Sequence, residues 1–189
     1  MSSNGSTINV DDRTMLRPAS VEDAEQLFAV VEANRAHLRT WLPWLDGNRQ
    51  ADDSRAFLAS VVERRKAGLG GVWVVEHAGT LCGVAGFNWI QPYNRSCEIG
   101  YWLDAGHGGR GIMTRCVARL VRHAFEDLGL NRITIPVAVK NVRSRGIPER
   151  LGFRAEGVMR EAEWLYDHFV DHVLYAQVRS EWVGPSPAI

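Results

Sequence analysis

The sequence feature that most constrains the fold is a glycine-rich turn followed by the most regular helical pattern in the chain. The turn reads Asp-Ala-Gly-His-Gly-Gly-Arg-Gly from 104 to 111. From Ile112 to Leu128 apolar residues recur at three- and four-residue steps, which predicts a helix with one broad apolar face that ends at Gly129. Glycines directly before a helix leave backbone N–H groups pointing at one spot at the positive end of the helix dipole. The pattern therefore predicts either an anion site or a turn whose glycines only permit tight packing.

Strand and helix patterns alternate along the rest of the chain. Strands are predicted at 13–18, 72–76, 81–90, 96–103, 132–139, 153–160 and 168–178, and helices at 20–31, 52–67, 112–128 and 143–151. This order predicts one α/β domain on a mixed sheet over residues 13–183. Residues 1–12 and 184–189 are small, polar or proline-containing and are predicted to be flexible.

Composition argues against several classes of protein. The 189 residues include 22 basic and 22 acidic side chains, so the chain lacks the basic surplus of a dedicated nucleic-acid-binding protein. No apolar run reaches the length of about 18 residues that a transmembrane helix needs, and the first residues lack a signal-peptide pattern. We therefore expect a cytoplasmic protein without direct nucleic-acid or membrane partners.

Cysteine and histidine usage predicts neither a disulfide framework nor a metal site. Cys82, Cys97 and Cys116 contain no C-x-x-C pair and are predicted to be buried free thiols. His168 and His172 share a predicted strand face, but no third ligand stands near them in the sequence.

The turn has three interpretations as a nucleotide site. Residues 106–111 match the G-x-G-x-x-G fingerprint of dinucleotide-binding folds. The preceding strand contains Cys97 and Glu98 instead of a continuous apolar run, and no ribose-binding acid follows the next strand at 137–141. A P-loop would need Gly-Lys-Ser/Thr, which is missing. The third interpretation is a site for the pyrophosphate of coenzyme A.

Several segments, in order, resemble the GNAT acyltransferases. Gly108-Gly-Arg-Gly-Ile-Met113 resembles their pyrophosphate motif Q/R-x-x-G-x-G/A, although Gly108 and Met113 depart from it, so that backbone N–H groups would supply the contacts. The Rim-type ribosomal-protein N-terminal acetyltransferases are more similar still, through residues 41–44, 98–104, 111–114, 131–132, 141–153 and 156–157. The resemblance runs from about residue 13 to 182.

This resemblance implies the GNAT acyl-CoA N-acyltransferase fold, with about seven mostly antiparallel strands and about four helices. The strands near 96–103 and 132–139 would splay apart and bind the pantetheine arm of acetyl-CoA. A backbone N–H near Trp102 or Leu103 would polarise the thioester carbonyl. The implied cofactor-binding residues are Trp102, Leu103, Gly108, Gly109, Arg110, Gly111, Ile112, Met113 and Asn141, with Arg143 and Arg145 as further candidates for phosphate contacts.

The resemblance also implies direct transfer of the acetyl group to an amine within a ternary complex. Pro148 occupies the position of the tyrosine that many GNAT enzymes use as general acid, and the family match gives this role to Ser144. Glu163 matches the carboxylate that takes a proton from the incoming amine, and Glu98 is its competitor.

Trp41, Trp44 and Asn88 resemble the acceptor side of these enzymes. The expected acceptor is the N-terminal amine of a protein, with a ribosomal protein as the first candidate and a small amine, an antibiotic or a lysine side chain as alternatives. A non-catalytic acyl-CoA-binding module is the rival from another class, and Ser144 and Glu163 argue against it because a binder needs neither. The family often forms dimers, but the apolar pattern identifies no interface, so a homodimer is left open.

Overall fold

The computed structural model describes residues 5–184, which form one eight-stranded mixed sheet. The strands are β1 (Ile8–Asp11), β2 (Thr14–Pro18), β3 (Gly71–His77), β4 (Thr80–Gln91), β5 (Ser96–Leu103), β6 (Arg132–Ala138), β7 (Arg154–Leu165) and β8 (His168–Val178). Their order across the sheet is β1-β2-β3-β4-β5-β6-β8-β7. Every neighbouring pair is antiparallel except β5 and β6, which run parallel.

Within the described residues, five α-helices cover the two faces of the sheet. They are α1 (Ala24–Ala33), α2 (Arg35–Arg39), α3 (Ala51–Lys66), α4 (Ile112–Arg122) and α5 (Val142–Arg150). The helix predicted from Ile112 continues past α4 as a π-helical turn at His123–Asp127, and Gly129 follows with a φ of 62°. Within residues 5–184, no helix combines the length and the apolar composition needed to cross a membrane.

The N-terminal segment corrects part of the expectation that residues 1–12 are flexible. Ile8–Asp11 form β1, which pairs with β2, while Ile8 and Val10 pack against the main core. The strand escaped prediction because it has only four residues, too few for an alternating pattern to stand out. Residues 1–4 and 185–189, which carry the rest of the two predicted flexible segments, lie outside the described residues.

The core divides between the two faces of the sheet. The larger cluster lies beneath α4 and α5, where Cys116, Val117 and Leu120 of α4 meet alternate residues of the central strands. A smaller cluster lies beneath α1 and α3, centred on Leu27, Leu58 and other buried residues. Side chains of β5 therefore alternate between two layers, each filled by its own helices.

All three cysteines are buried and free, which confirms the prediction for them. Burial raises the pKa of Cys82 to about 11 and that of Cys116 to about 12, and it also raises the pKa of Cys97. Thiols held neutral in this way behave as small apolar side chains.

The splay between the central strands is the feature of the sheet that positions the site. Parallel pairing between β5 and β6 covers three residue pairs, from Ser96–Arg132 to Glu98–Thr134. The strands part beyond Glu98, although β5 continues to Leu103 and β6 to Ala138. This confirms the splayed central strands that the family resemblance implies.

Candidate active site

A cavity of about 480 Å³ opens where β5 and β6 part. Its walls come from the end of β5, the glycine turn, the first residues of α4, the α5 segment and the α2 region. The sequence-predicted residues that line it are Trp41, Trp102, Leu103, Gly108, Gly109, Gly111, Ile112, Met113, Asn141 and Ser144. Residues far apart in the sequence therefore meet at one place, next to the start of the main helix.

The glycine turn has the backbone conformation that its sequence suggests. Gly109 and Gly111 have φ values of 78° and 71°, in the left-handed region that favours glycine, and Gly111 directly precedes α4. Asp104 stabilises the turn by accepting a hydrogen bond from the Gly106 N–H. The first backbone N–H groups of α4 have no partner within the helix and adjoin the cavity, as an anion site requires.

Of the three arginines expected to contact phosphate, only Arg143 lines the cavity. The Arg143 guanidinium lies so close to Gly108 that a Cβ at that glycine would collide with it. Arg110 is outside the cavity lining, and Arg145 donates to the Tyr175 hydroxyl at 2.9 Å and to the Val139 carbonyl at 3.1 Å. The geometry thus favours Arg143 for an anion at the turn, while Arg145 connects α5 to β8.

Two hydroxyl groups face each other at the cavity. Ser144 Oγ donates to the Tyr101 hydroxyl oxygen at 3.2 Å, and the Tyr101 hydroxyl donates to the Ser144 carbonyl at 3.1 Å. Asn141 caps the start of α5 by accepting the Ser144 N–H at 3.2 Å. Burial raises the pKa of Tyr101 to about 12, so its phenol stays protonated near neutral pH. Tyr101 is not among the site residues expected from the sequence, although alternation along β5 places it with Ile99 on the α5 face.

Glu163 lies outside the cavity lining, on the face of the sheet opposite to α4 and α5. Its Oε2 is 3.5 Å from Nε2 of His172, which is largely buried. His172 pairs with Ala138, the last residue of β6. The side chains of His172 and Glu163 therefore lie near the open end of the splay. Among residues 5–184, no group of histidine, cysteine and carboxylate side chains could hold a metal ion, and His172 faces a carboxylate instead.

Glu98, the competing carboxylate, is engaged elsewhere. Its Oε1 accepts a hydrogen bond of 3.0 Å from Asn88 Nδ2. The Asn88 side chain in turn lies against Gly100 of β5, and the Asn88 backbone carbonyl accepts a hydrogen bond from Arg64. Asn88 is not part of the cavity wall. The two residues form a polar pair on the face of the sheet that Glu163 also occupies.

The α2 region forms the remaining wall. His37, Trp41 and Leu42 line the cavity, whereas Trp44 lies outside it and packs on Trp102 with ring centroids 6.5 Å apart. Tyr166, at the turn between β7 and β8, donates its hydroxyl to the Leu42 carbonyl. The Arg39 guanidinium lies 3.7 Å above the Tyr166 ring. Tyr166 is not among the residues expected from the sequence, because nothing in its local pattern reveals this distant contact.

A parallel strand pair that opens beside a glycine turn and a helix start is the architecture of GNAT acyltransferases. Residues 13–154 match the family model described as an acetyltransferase (GNAT) domain. The chain belongs to this family, and it is an N-acetyltransferase.

Full-length relatives agree with this assignment. YdaF of Bacillus subtilis (strain 168) is 34% identical over 179 residues, which cover 94% of this chain and 98% of that protein. The ribosomal-protein-serine acetyltransferase of Escherichia coli (strain K12) is 31% identical over 172 residues, covering 91% and 96%. The solved structure of RimL, a ribosomal L7/L12 alpha-N-protein acetyltransferase in complex with coenzyme A, superposes with a TM-score of 0.88. That match is 28% identical and covers 91% of this chain and 97% of the other.

Proposed function

We propose that this protein transfers the acetyl group of acetyl-CoA to the N-terminal α-amine of a ribosomal protein in the cytoplasm. The observation that carries the proposal is the cavity that joins the glycine turn to the Ser144–Tyr101 hydroxyl pair at the splay. The names of the Escherichia coli relative and of the RimL structure, both acetyltransferases of ribosomal proteins, support this choice of acceptor.

Acetyl-CoA fits the chemistry of the residues around the cavity. The backbone N–H groups at Gly109–Met113 would donate hydrogen bonds to the pyrophosphate, and Arg143 would be the adjacent cation. The edge of β5 beyond Glu98, which β6 no longer covers, offers backbone groups to the amides of the pantetheine arm. A backbone N–H near Trp102 or Leu103 would then stabilise negative charge on the thioester oxygen.

The proposed proton transfers come from the two faces of the sheet. Glu163 takes a proton from the incoming amine, whose pKa of about 7.7–8.0 makes a modest base sufficient. The neutral amine attacks the carbonyl carbon, the C–N bond forms and the C–S bond breaks, while the new amide nitrogen gives its second proton to solvent. Ser144 Oγ gives a proton to the departing thiolate and regains one from solvent, and Tyr101, which accepts a hydrogen bond from that hydroxyl, orients it. Trp41 and Trp44 would border the acceptor peptide.

A thiol-release assay tests the proposal. Peptides with a free N-terminal serine or alanine are compared with the same peptides blocked at the N-terminus and with spermidine as a small amine. We expect turnover of the free peptides alone, and preference for spermidine would contradict the proposed acceptor. Binding of acetyl-CoA in calorimetry without turnover of any amine would indicate a binding module.

Two variants test the assigned roles in the same assay. Ser144→Ala and Glu163→Gln should each lower kcat/KM about 100-fold, within the usual range for general acid–base groups. Glu63→Gln is the matched control, since Glu63 is an exposed glutamate of α3, away from the cavity. Full activity of both test variants would show that the roles are assigned to the wrong residues.

A further inference from the structure

The strand that carries Glu163 contains a large irregularity just before that residue. Met159 of β7 pairs with His172 of β8, and the next pair is Glu163 with Val170. Four steps along β7 therefore correspond to two steps along β8, which is a bulge of two extra residues. Within the bulge, Glu161 has a φ of 50°, a left-handed conformation that is unfavourable for a residue with a Cβ.

Asp171 of β8 holds this bulge. Its Oδ1 accepts a hydrogen bond of 2.7 Å from the Glu161 N–H. Its backbone carbonyl accepts the N–H of Val139, directly after β6, at 2.9 Å. The same residue thus connects the strained backbone of β7 to the end of the strand that borders the splay.

The bulge determines where the carboxylate of Glu163 lies. In an unbulged pairing from Met159 onward, Glu161 would face Val170 and Glu163 would face His168. Glu163 would then lie two residues, or about 7 Å, farther toward the hairpin turn. With the bulge, Glu163 pairs with Val170 and its Oε2 lies 3.5 Å from His172.

We propose that Asp171 is a positioning residue, which holds the bulge of β7 so that Glu163 stands beside His172 at the splay. The inference rests on the proposed role of Glu163 as the base. It gives a function to an exposed carboxylate and to a left-handed glutamate that local folding rules disfavour.

The test compares variants that keep or remove the hydrogen bond. Asp171→Ala should lower kcat about 10-fold and change the KM for acetyl-CoA less than 2-fold, because neither Asp171 nor Glu161 lines the cofactor cavity. Asp171→Asn keeps an oxygen that can accept the Glu161 N–H and should stay within 3-fold of the parent. Adding Glu161→Gly to Asp171→Ala should recover most of the activity, since glycine adopts the left-handed conformation without the restraint.

A second variant covers the case in which Asp171→Ala does not fold. Glu161→Val leaves Asp171 in place but disfavours the left-handed conformation, and it should lower kcat to a similar degree. Glu63→Ala, at an exposed position of α3, is the control for removal of a carboxylate.

Two failures can be told apart by measuring Glu163→Gln in parallel. Loss of activity in Glu163→Gln together with full kcat in Asp171→Ala would overturn the positioning role alone. Equal losses in Asp171→Ala and Asp171→Asn would overturn it as well, because charge and not the hydrogen bond would then matter. Full activity of Glu163→Gln would overturn the proposed base itself.

Discussion

At the residue scale, the pair formed by Tyr101 and Ser144 illustrates how burial keeps a phenol protonated beside a hydroxyl group. A phenol whose pKa is raised to about 12 by burial remains a hydrogen-bond donor at every pH at which the enzyme would work. Ser144 Oγ lies 3.2 Å from it, and both groups line the cavity. Tyr101 therefore restricts the directions in which the Ser144 hydroxyl can point.

Tyr101→Phe should lower kcat about 3- to 10-fold, which corresponds to the net free energy of one ordinary hydrogen bond. The KM for acetyl-CoA should change little, because the ring stays in place. Steady-state kinetics with a saturating peptide acceptor measures the effect. A loss as large as that of Ser144→Ala would mean that Tyr101 itself donates the proton.

The sequence pattern and the family resemblance together point to Asn141, Ser144, Gly109 and Gly111, and all four line the cavity. Asn141 and Ser144 are three positions apart at a helix start, and the glycines of the turn directly precede α4. Tyr101 could not be found in this way, because its contact with Ser144 spans 43 positions and depends on how α5 packs on the sheet. Arg110, Arg143 and Arg145 are all candidates for phosphate contacts in the sequence, but only Arg143 lines the cavity, because the sequence does not fix the direction of each side chain.

At the element scale, strands and helices with a strong periodic pattern are predicted well from the sequence, whereas irregular backbone within an element is not. The hairpin of β3 and β4 and the helix that begins at Ile112 follow their sequence patterns. The bulge in β7 has no such pattern, since Arg160, Glu161 and Ala162 read as an ordinary exposed strand or loop. Its conformation depends on a hydrogen bond from Asp171, a residue on another strand.

Two left-handed glycines provide a matched comparison of helix ends. Gly111 precedes α4 with a φ of 71°, and Gly129 follows its π-helical extension with a φ of 62°. Replacement of either by alanine should lower the free energy of unfolding by about 1–2 kcal/mol. Only Gly111→Ala should also raise the KM for acetyl-CoA, by about 10-fold, which corresponds to about 1.4 kcal/mol of binding. Urea unfolding and initial-rate kinetics measure the two effects, and an equal rise for Gly129→Ala would contradict the assignment of the phosphate turn.

At the scale of the whole molecule, β1 connects the N-terminal segment to the cofactor helix. Asp11 Oδ2 lies 2.8 Å from Arg115 Nε of α4, and Asp11 Oδ1 accepts the Arg13 N–H at 2.9 Å. Burial would raise the pKa of Asp11, but hydrogen bonds from Arg13, Thr14 and Arg115 outweigh it and lower the pKa to about 2. The ionised carboxylate therefore stabilises the folded chain.

This contact predicts a specific loss of stability in acid. Because the pKa of Asp11 is lower in the folded chain than its ordinary value of 3.8, its contribution is complete above about pH 4 and is lost as the pH falls toward 2. Asp11→Asn should thus lower the urea midpoint at pH 7 and make it less sensitive to a change from pH 7 to pH 3. Asp12→Asn, at an exposed neighbouring position, is the control. An unchanged acid sensitivity in Asp11→Asn would contradict the prediction.

The contact between Tyr166 and the α2 region has a consequence for redesign of the enzyme. Tyr166 donates to the Leu42 carbonyl across 124 positions of sequence, and Arg39 covers its ring. The wall that the α2 region forms is thus supported from behind by a second segment, distant in the sequence, that does not itself line the cavity. A chimera that takes only one of these segments from a relative would lose the contact between them. We therefore expect acceptor preference to transfer between homologues only when both segments are exchanged together.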